Sequence, residues 1–314
     1  MKVGFIGLGN VGGKLSGSLL RNGVDVQVHD LNAEFVAAKV AAGAQDGGSP
    51  AAMMQACDAI ITCLPSPAAS AAVLGEMLAH VGPGKIWMEM STTDEAEVKR
   101  IGALVIEAGG AAVDCPVSGG CHRADTGNIS IFAGCARDTF EKILPLLTVM
   151  GRRVLHTGEL GSASVLKVLT NYLATANLVS VAEALTVAKG AGMDLGTAYE
   201  AMRISSGTSF VHETESQVIL NGSRDISFTM DLVAKDIGLF QDVADRAGVE
   251  LELNPLLIEL FKDGIEKFGP RELSPNIIKR LEQRSGLDVT APGFPSEMTD
   301  DEPEEAGAEV IVRR

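Results

Sequence analysis

Residues 2–13, KVGFIGLGNVGG, constrain the fold more than any other stretch of this chain. An apolar run stops on Gly7-Leu8-Gly9-Asn10-Val11-Gly12, and a helical pattern over 14–20 follows at once. A strand that delivers G-x-G-x-x-G into a helix is a dinucleotide-binding turn. In that reading Gly7 permits the tight turn, Gly9 lets the backbone approach a pyrophosphate, and Gly12 lets the helix pack on the strand. The N–H groups at the helix start face an anion, with the helix dipole in support. A second strand over 24–29 ends in Asp30, 18 residues past Gly12. An acidic side chain at that distance accepts hydrogen bonds from the adenosine ribose hydroxyls. A 2′-phosphate would meet like charge there, so NAD is expected over NADP. Residues 7–12 and Asp30 are the expected cofactor contacts.

Strand-like runs recur at 2–6, 24–29, 59–64, 86–90, 111–114, 129–133 and 153–156, with helices between them. This alternation predicts an α/β fold: an N-terminal Rossmann domain with a doubly wound, mostly parallel sheet over residues 1–160. A helix of about thirty residues over 161–191 follows, apolar nearly all the way round and therefore expected to be buried on more than one side. Only helical segments lie beyond it, near 195–204, 210–220, 230–247, 255–268 and 277–283, which predicts an all-helical C-terminal domain over 192–285. From Gly286 onward eight acids stand against two arginines, with Pro292, Pro295 and Pro303 among them. Residues 286–314 therefore read as a disordered, solvating tail, with an acidic partner-binding segment as the alternative.

The net charge of −15 argues against nucleic acid or an anionic membrane as a partner. The longest apolar stretch, 168–182, is interrupted by Asn171 and Asn177 and bounded by Lys167 and Glu183, so no bilayer span is expected. Five cysteines without a C-x-x-C pair suggest free thiols in a reducing compartment. The first residues enter a strand at once, so no signal peptide is expected, and a cytoplasmic location follows. The five histidines have no metal-ligand spacing, and no metal is expected.

Two constellations carry chemistry. Lys167 and Asn171 are four residues apart near the start of the long helix, hence on one face. A lysine in such a setting snorkels, pairs or works. Burial would lower its pKa, as a proton donor and acceptor near neutrality requires; a surface lysine is the alternative. The second constellation is Asp114-Cys115-Pro116-Val117-Ser118-Gly119-Gly120. A strand ends at the proline, and the Ser118 hydroxyl with the N–H groups of Gly119 and Gly120 forms an anion nest suited to a carboxylate, or an ordinary Gly/Ser turn.

With these motifs in this order, the chain resembles the β-hydroxyacid dehydrogenases over about residues 1–285. That group includes 3-hydroxyisobutyrate dehydrogenase, tartronate semialdehyde reductase and, more distantly, 6-phosphogluconate dehydrogenase. The resemblance implies an NAD-dependent oxidoreductase that interconverts a short 3-hydroxy acid and its semialdehyde. It makes Lys167 the general acid/base and Asn171 its helper. It places Leu64 and Pro65 in a loop touching the cofactor, Thr92 on the nicotinamide ribose, and Lys235, of the pair Lys235-Asp236, over the cofactor. Ser118, Gly119, Gly120 and Thr170 fall on the substrate side, and a homodimer or homotetramer is implied.

The departures bear on the substrate. Ala163 stands where the family commonly has glycine, Thr170 where it has asparagine, and Glu95 where proline is frequent. His122 and Arg123 replace small residues. Arg123 is expected either to grip a carboxylate, sulfonate or phosphate of the substrate, or to point outward and pair with Asp125 or Glu159. The alternatives to a small anionic hydroxy acid or aldehyde are a sulfonated or phosphorylated aldehyde, an imine, or no turnover at all in an NAD-binding sensor. The imine reductases typically lack the lysine.

Overall fold

The computed structural model describes residues 1–313. The chain divides into two compact units, residues 1–167 with the described residues from 300 onward, and Val168–Thr299. In the first unit β1 (Val3–Ile6), α1 (Gly12–Arg21), β2 (Val26–His29), α2 (Ala33–Ala41), β3 (Gln45–Asp46), α3 (Pro50–Ala56) and β4 (Ala59–Thr62) follow one another. They lead into α4 (Pro67–Met77), β5 (Ile86–Glu89), α5 (Glu95–Glu107) and β6 (Ala111–Asp114). Next come β7 (Val117–Ser118), α6 (Gly120–Thr126), β8 (Ile129–Gly134), α7 (Arg137–Met150) and β9 (Gly151–Gly158). All seven runs expected to be strands are strands.

The sheet order is β3-β2-β1-β4-β5-β6-β8-β9, parallel except where β8 meets β6, with β7 paired to β8. Strands β1, β4 and β5 are buried on both faces, which is why they read as continuous apolar runs rather than alternating ones. In register, Phe5, Ile61, Met88 and Val113 line up across one face. They share a core with Leu15 and Leu19 of α1 and Phe140 of α7. Ile60, Trp87 and Ala112 face the other way and pack with Met53 and Ile101. Strand order reverses between β1 and β4, and a nucleotide binds at the carboxyl ends of strands at such a switch point.

The second unit is all-helical. α8 (Ser162–Gly190) starts in the first unit and carries the chain into the second, where α9 (Leu195–Arg203), α10 (Phe210–Asn221), α11 (Met230–Ala247), α12 (Asn254–Phe268) and α13 (Lys279–Ser285) follow. Leu178 and Leu185 of α8 join Tyr199, Ile219, Ile237, Leu257 and Phe261 in its core. By length and composition α8 is able to cross a bilayer, in contrast to the shorter stretch read from the sequence. Its buried leucines are already committed to the helical core.

The first compact unit ends after Lys167, inside the helix expected to link the two domains. One expectation needs correction. The segment 286–314 is not a solvating tail. Its first part closes on the second unit: Val289 is buried, the Ala291 N–H donates to the Leu220 carbonyl at 2.8 Å, and Phe294 meets Tyr199 edge-on. From residue 300 the chain returns to the first unit, where β10 (Ala308–Glu309) adds in parallel to the outer edge of β9. Its acids are matched by arginines: Glu302 pairs with Arg123 at 3.1 Å, Glu305 with Arg152 at 2.5 Å and Glu309 with Arg137 at 2.6 Å. Gly307 fits because it lacks a side chain. A Cβ there would lie 1.9 Å from the Gly151 carbonyl oxygen.

Candidate active site

The turn after β1 has the geometry its glycines imply. Gly7 sits at φ +95°, and a Cβ on it would lie 2.3 Å from the Cys63 carbonyl oxygen. A Cβ on Gly12 would lie 2.0 Å from the Gly7 carbonyl oxygen, so α1 leaves the turn in backbone contact with it. Around Gly9 nothing lies within 4 Å of that position. Two glycines are thus required by the fold and the third keeps a space open. Asp30, at the end of β2, ties the turn together: its carboxylate accepts from the Leu8 N–H at 2.6 Å and the Asn32 N–H at 2.8 Å. No acidic residue occupies the first turn of α1, leaving its positive end available to an anion, and Asn10 and Val11 lead into it. An open glycine, a helix start and a carboxylate at the ribose distance fit NAD.

The neighbouring loops are fixed by a buried polar network. The Ser91 hydroxyl accepts from the Leu64 N–H at 2.7 Å, tying the Leu64-Pro65 loop to the segment that carries Thr92. The Ser91 N–H in turn donates to Glu89, a fully buried carboxyl that burial pushes above its ordinary range. Nothing in the sequence pattern marks Glu89, which only its burial and its bond from Ser91 reveal.

Ser118 ends β7, paired with Ser130 of β8, and hands over to Gly119 at φ +131° and Gly120 at φ +88°. Both positive angles are cheap only for glycine. Helix α6 begins directly on this turn. Arg123, on its first full turn, lays its stem back over the turn, with Cδ 3.4 Å from where a Cβ of Gly119 would be. Its guanidinium goes to Glu302 at 3.1 Å and to Asp300 at 4.0 Å. Neither the expected substrate contact nor the outward pairing with Asp125 or Glu159 named these two carboxylates. Glu302 lies 179 residues away along the chain, beyond the reach of local pattern.

Lys167 is buried, 9% exposed, at the second turn of α8. The start of that helix is held by Asp114, whose two carboxylate oxygens accept from the Gly161 and Ser164 N–H groups at 2.7 Å each. Burial pushes the Asp114 carboxyl up, while those two bonds favour its anion. The same Asp114 that opens the Ser-Gly-Gly segment thus anchors the lysine helix, a role invisible in the sequence. Cys115 and Cys135 are buried thiols, the second pushed up to about 12 by desolvation, which leaves them unreactive.

In the second unit, Thr170 is half-buried and Asn171 lies one helical turn beyond Lys167 on α8. The Asn171 amide donates to Asp236 at 2.5 Å, and Lys235 pairs with the other oxygen of Asp236 at 3.2 Å. Asp236, almost fully buried, joins Asn171 to Lys235. The resemblance gives those two residues different tasks.

Comparison with known proteins identifies the family. Residues 2–158 match the NAD binding domain of 6-phosphogluconate dehydrogenase, and residues 161–281 the NAD-binding domain of NADP-dependent 3-hydroxyisobutyrate dehydrogenase. The chain is 33% identical to 2-(hydroxymethyl)glutarate dehydrogenase of Eubacterium barkeri, over 92% of this chain and 98% of that protein. It is 34% identical to the NAD-dependent L-serine dehydrogenase of Pseudomonas aeruginosa, over 89% and 97%. The 3-hydroxyisobutyrate dehydrogenase of Salmonella typhimurium superposes with a TM-score of 0.81 at 26% identity, over 89% and 99%. The chain belongs to the β-hydroxyacid dehydrogenase family. It is an NAD-dependent hydroxyacid dehydrogenase.

Proposed function

We propose that the substrate is a short 3-hydroxy acid, oxidised reversibly to its semialdehyde, with Lys167 as the general acid and base. The observation that carries this reading is the burial of Lys167 on a helix whose start is fixed by Asp114. The names of the relatives support the substrate class. 2-(Hydroxymethyl)glutarate, L-serine and 3-hydroxyisobutyrate all carry a hydroxymethyl group on the carbon next to a carboxylate. A Ser-Gly-Gly turn suits the shared carboxylate, with the Ser118 hydroxyl and the Gly119 and Gly120 N–H groups as donors.

NAD, when bound, accepts the hydride from the carbon that bears the hydroxyl. The chain supplies the proton chemistry. The Lys167 amine takes the hydroxyl proton as the carbonyl forms and returns it in the reverse direction. In its ammonium form it stabilises the negative charge on that oxygen. Asn171 and Thr170, on the next turn of α8, are assigned to orienting the substrate. Thr92 and Lys235 are assigned to the cofactor. Asp30 holds the adenosine ribose and repels a 2′-phosphate. A cytoplasmic homodimer or homotetramer fits the exposed Leu173, Val187 and Ile204 of the helical unit.

A screen of L-serine, 3-hydroxyisobutyrate and 2-(hydroxymethyl)glutarate with NAD tests the substrate class, and Lys167→Ala tests the mechanism. The variant should lose on the order of 100- to 10,000-fold in kcat while its NAD affinity is unchanged. Turnover within about threefold of the unaltered enzyme would rule Lys167 out as the proton-transfer group.

A further inference from the structure

The returning segment does more than cover an edge. The Asp300 side chain is only 3% exposed, and its carboxylate accepts from the Thr126 hydroxyl at 2.5 Å and the Asn128 amide at 2.7 Å. The same Asn128 amide donates to the Glu302 carbonyl at 2.9 Å, and the Glu302 carboxylate takes the Arg123 guanidinium. Arg123, Thr126 and Asn128 all belong to α6 or its exit. This helix has only seven residues, has no side-chain cap at its start, and buries only Ala124. A helix so short does not hold its own place in water. Asp300 and Glu302 fix it from outside, and α6 begins at Gly120, the last residue of the anion turn.

Charge points the same way. Arg123 lies across Gly119, close enough for its stem to touch the turn, yet its guanidinium is drawn to two carboxylates of the returning segment. A substrate on the turn then meets neutral donors, with the adjacent cation already neutralised. A second carboxylate on the substrate would be repelled by Glu302 and Asp300 rather than welcomed by Arg123.

We propose that Asp300 is a positioning residue and Glu302 a specificity-determining one: Asp300 and the Glu302 backbone carbonyl hold α6 under the Ser118–Gly120 turn, and the Glu302 carboxylate withholds Arg123, so that the turn selects a monocarboxylate over a dicarboxylate. This rests on the reading of the turn as the carboxylate site.

The test measures binding of isobutyrate and of glutarate to the NAD-loaded protein by calorimetry, alongside kinetics with 3-hydroxyisobutyrate and 2-(hydroxymethyl)glutarate. The unaltered protein should prefer isobutyrate. Glu302→Gln should strengthen glutarate binding about tenfold and leave isobutyrate within about twofold, and adding Arg123→Ala should cancel that gain. Asp300→Asn should weaken isobutyrate about tenfold, seen as a raised KM with kcat within about threefold and the KM for NAD unchanged. Loss of structural integrity alone would move kcat and the NAD KM together. If Asp300→Asn does not fold, the Glu302→Gln and Arg123→Ala pair still decides. Unchanged binding of both acids in Glu302→Gln, or a preference for glutarate in the unaltered protein, overturns the proposal. Binding that shifts as stated without turnover of either hydroxy acid would instead overturn the proposed reaction and leave the recognition assignment standing.

Discussion

The three glycines of the cofactor turn make a sharp experimental contrast, because two are needed by the fold and one by the ligand. In Gly12→Ala the new methyl would sit 2.0 Å from the Gly7 carbonyl oxygen. Carbon and oxygen approach to roughly 3.3 Å at closest, so α1 or the turn must yield by about 1.3 Å. Neither yields easily: Gly7 is itself in backbone contact with Cys63, and α1 is packed through Leu15 and Leu19. Overpacking of this kind costs about 1–3 kcal/mol. For a unit of this size that lowers Tm by roughly 2–12 °C. In Gly9→Ala the methyl enters open space, and Tm should fall by no more than about 2 °C, as for an exposed site. Its cost should appear in NAD affinity, at least about tenfold, since the methyl fills the place of a phosphate. Thermal unfolding without nucleotide, paired with calorimetric titration of NAD, reads both effects. The reasoning fails if Gly9→Ala melts as early as Gly12→Ala, or binds NAD within about twofold of the parent.

Three further outcomes follow from the geometry. Asp30→Ser should raise the ratio of NADP to NAD efficiency on the order of tenfold or more, although it also loosens the turn by removing the acceptor for Leu8 and Asn32; an unchanged ratio in steady-state assays contradicts the assignment. The returning segment should loosen in acid. Burial works against ionising Asp300, but hydrogen bonds from Thr126 and Asn128 and the charge of Arg123 outweigh it and hold its carboxyl below the ordinary range; hydrogen bonds from Arg137 do the same for Glu309. A carboxyl lowered in the folded state stabilises fully above its unfolded pKa near 4, and loses that contribution as pH falls through the folded value. Amide exchange at Val310 should therefore rise below about pH 4 before the sheet interior opens, and protection that persists until global unfolding would refute this. Light scattering at micromolar concentration should give a dimer or tetramer, and a monomer would leave the exposed apolar residues of the helical unit unexplained.

Most of the architecture was legible because it depends on local pattern. The strands at β1, β4 and β5 are apolar runs apart from Thr62 and Glu89 at the ends of the last two, the turn glycines follow fixed spacing, and the second unit reads as helical segments throughout. Spacing alone puts Lys167 and Asn171 on one face of α8. What escaped notice depends on distant partners. Residues 286–314 have the low hydrophobicity, high charge and prolines of a disordered segment, and composition does not reveal that Arg123, Arg137 and Arg152 stand ready for its acids. The pairing of Arg123 with Glu302 is hidden for the same reason, since its sequence neighbours are the substrate turn and this partner comes from far along the chain. Asp114 looked like part of a motif, and only the approach of Gly161 and Ser164 reveals it as the anchor of α8.

The route of the chain through its two units sets an order of assembly. The helical unit is inserted between β9 and β10, so the strand that completes the sheet is synthesised only after that unit. Until it arrives, β9 presents an unpaired edge, the kind of surface that recruits strands from other molecules. The nascent first unit must therefore survive with an open flank while some 130 residues of helices are made. Its finished form places a two-residue, glutamate-bearing strand on that flank, too short and too charged to template another.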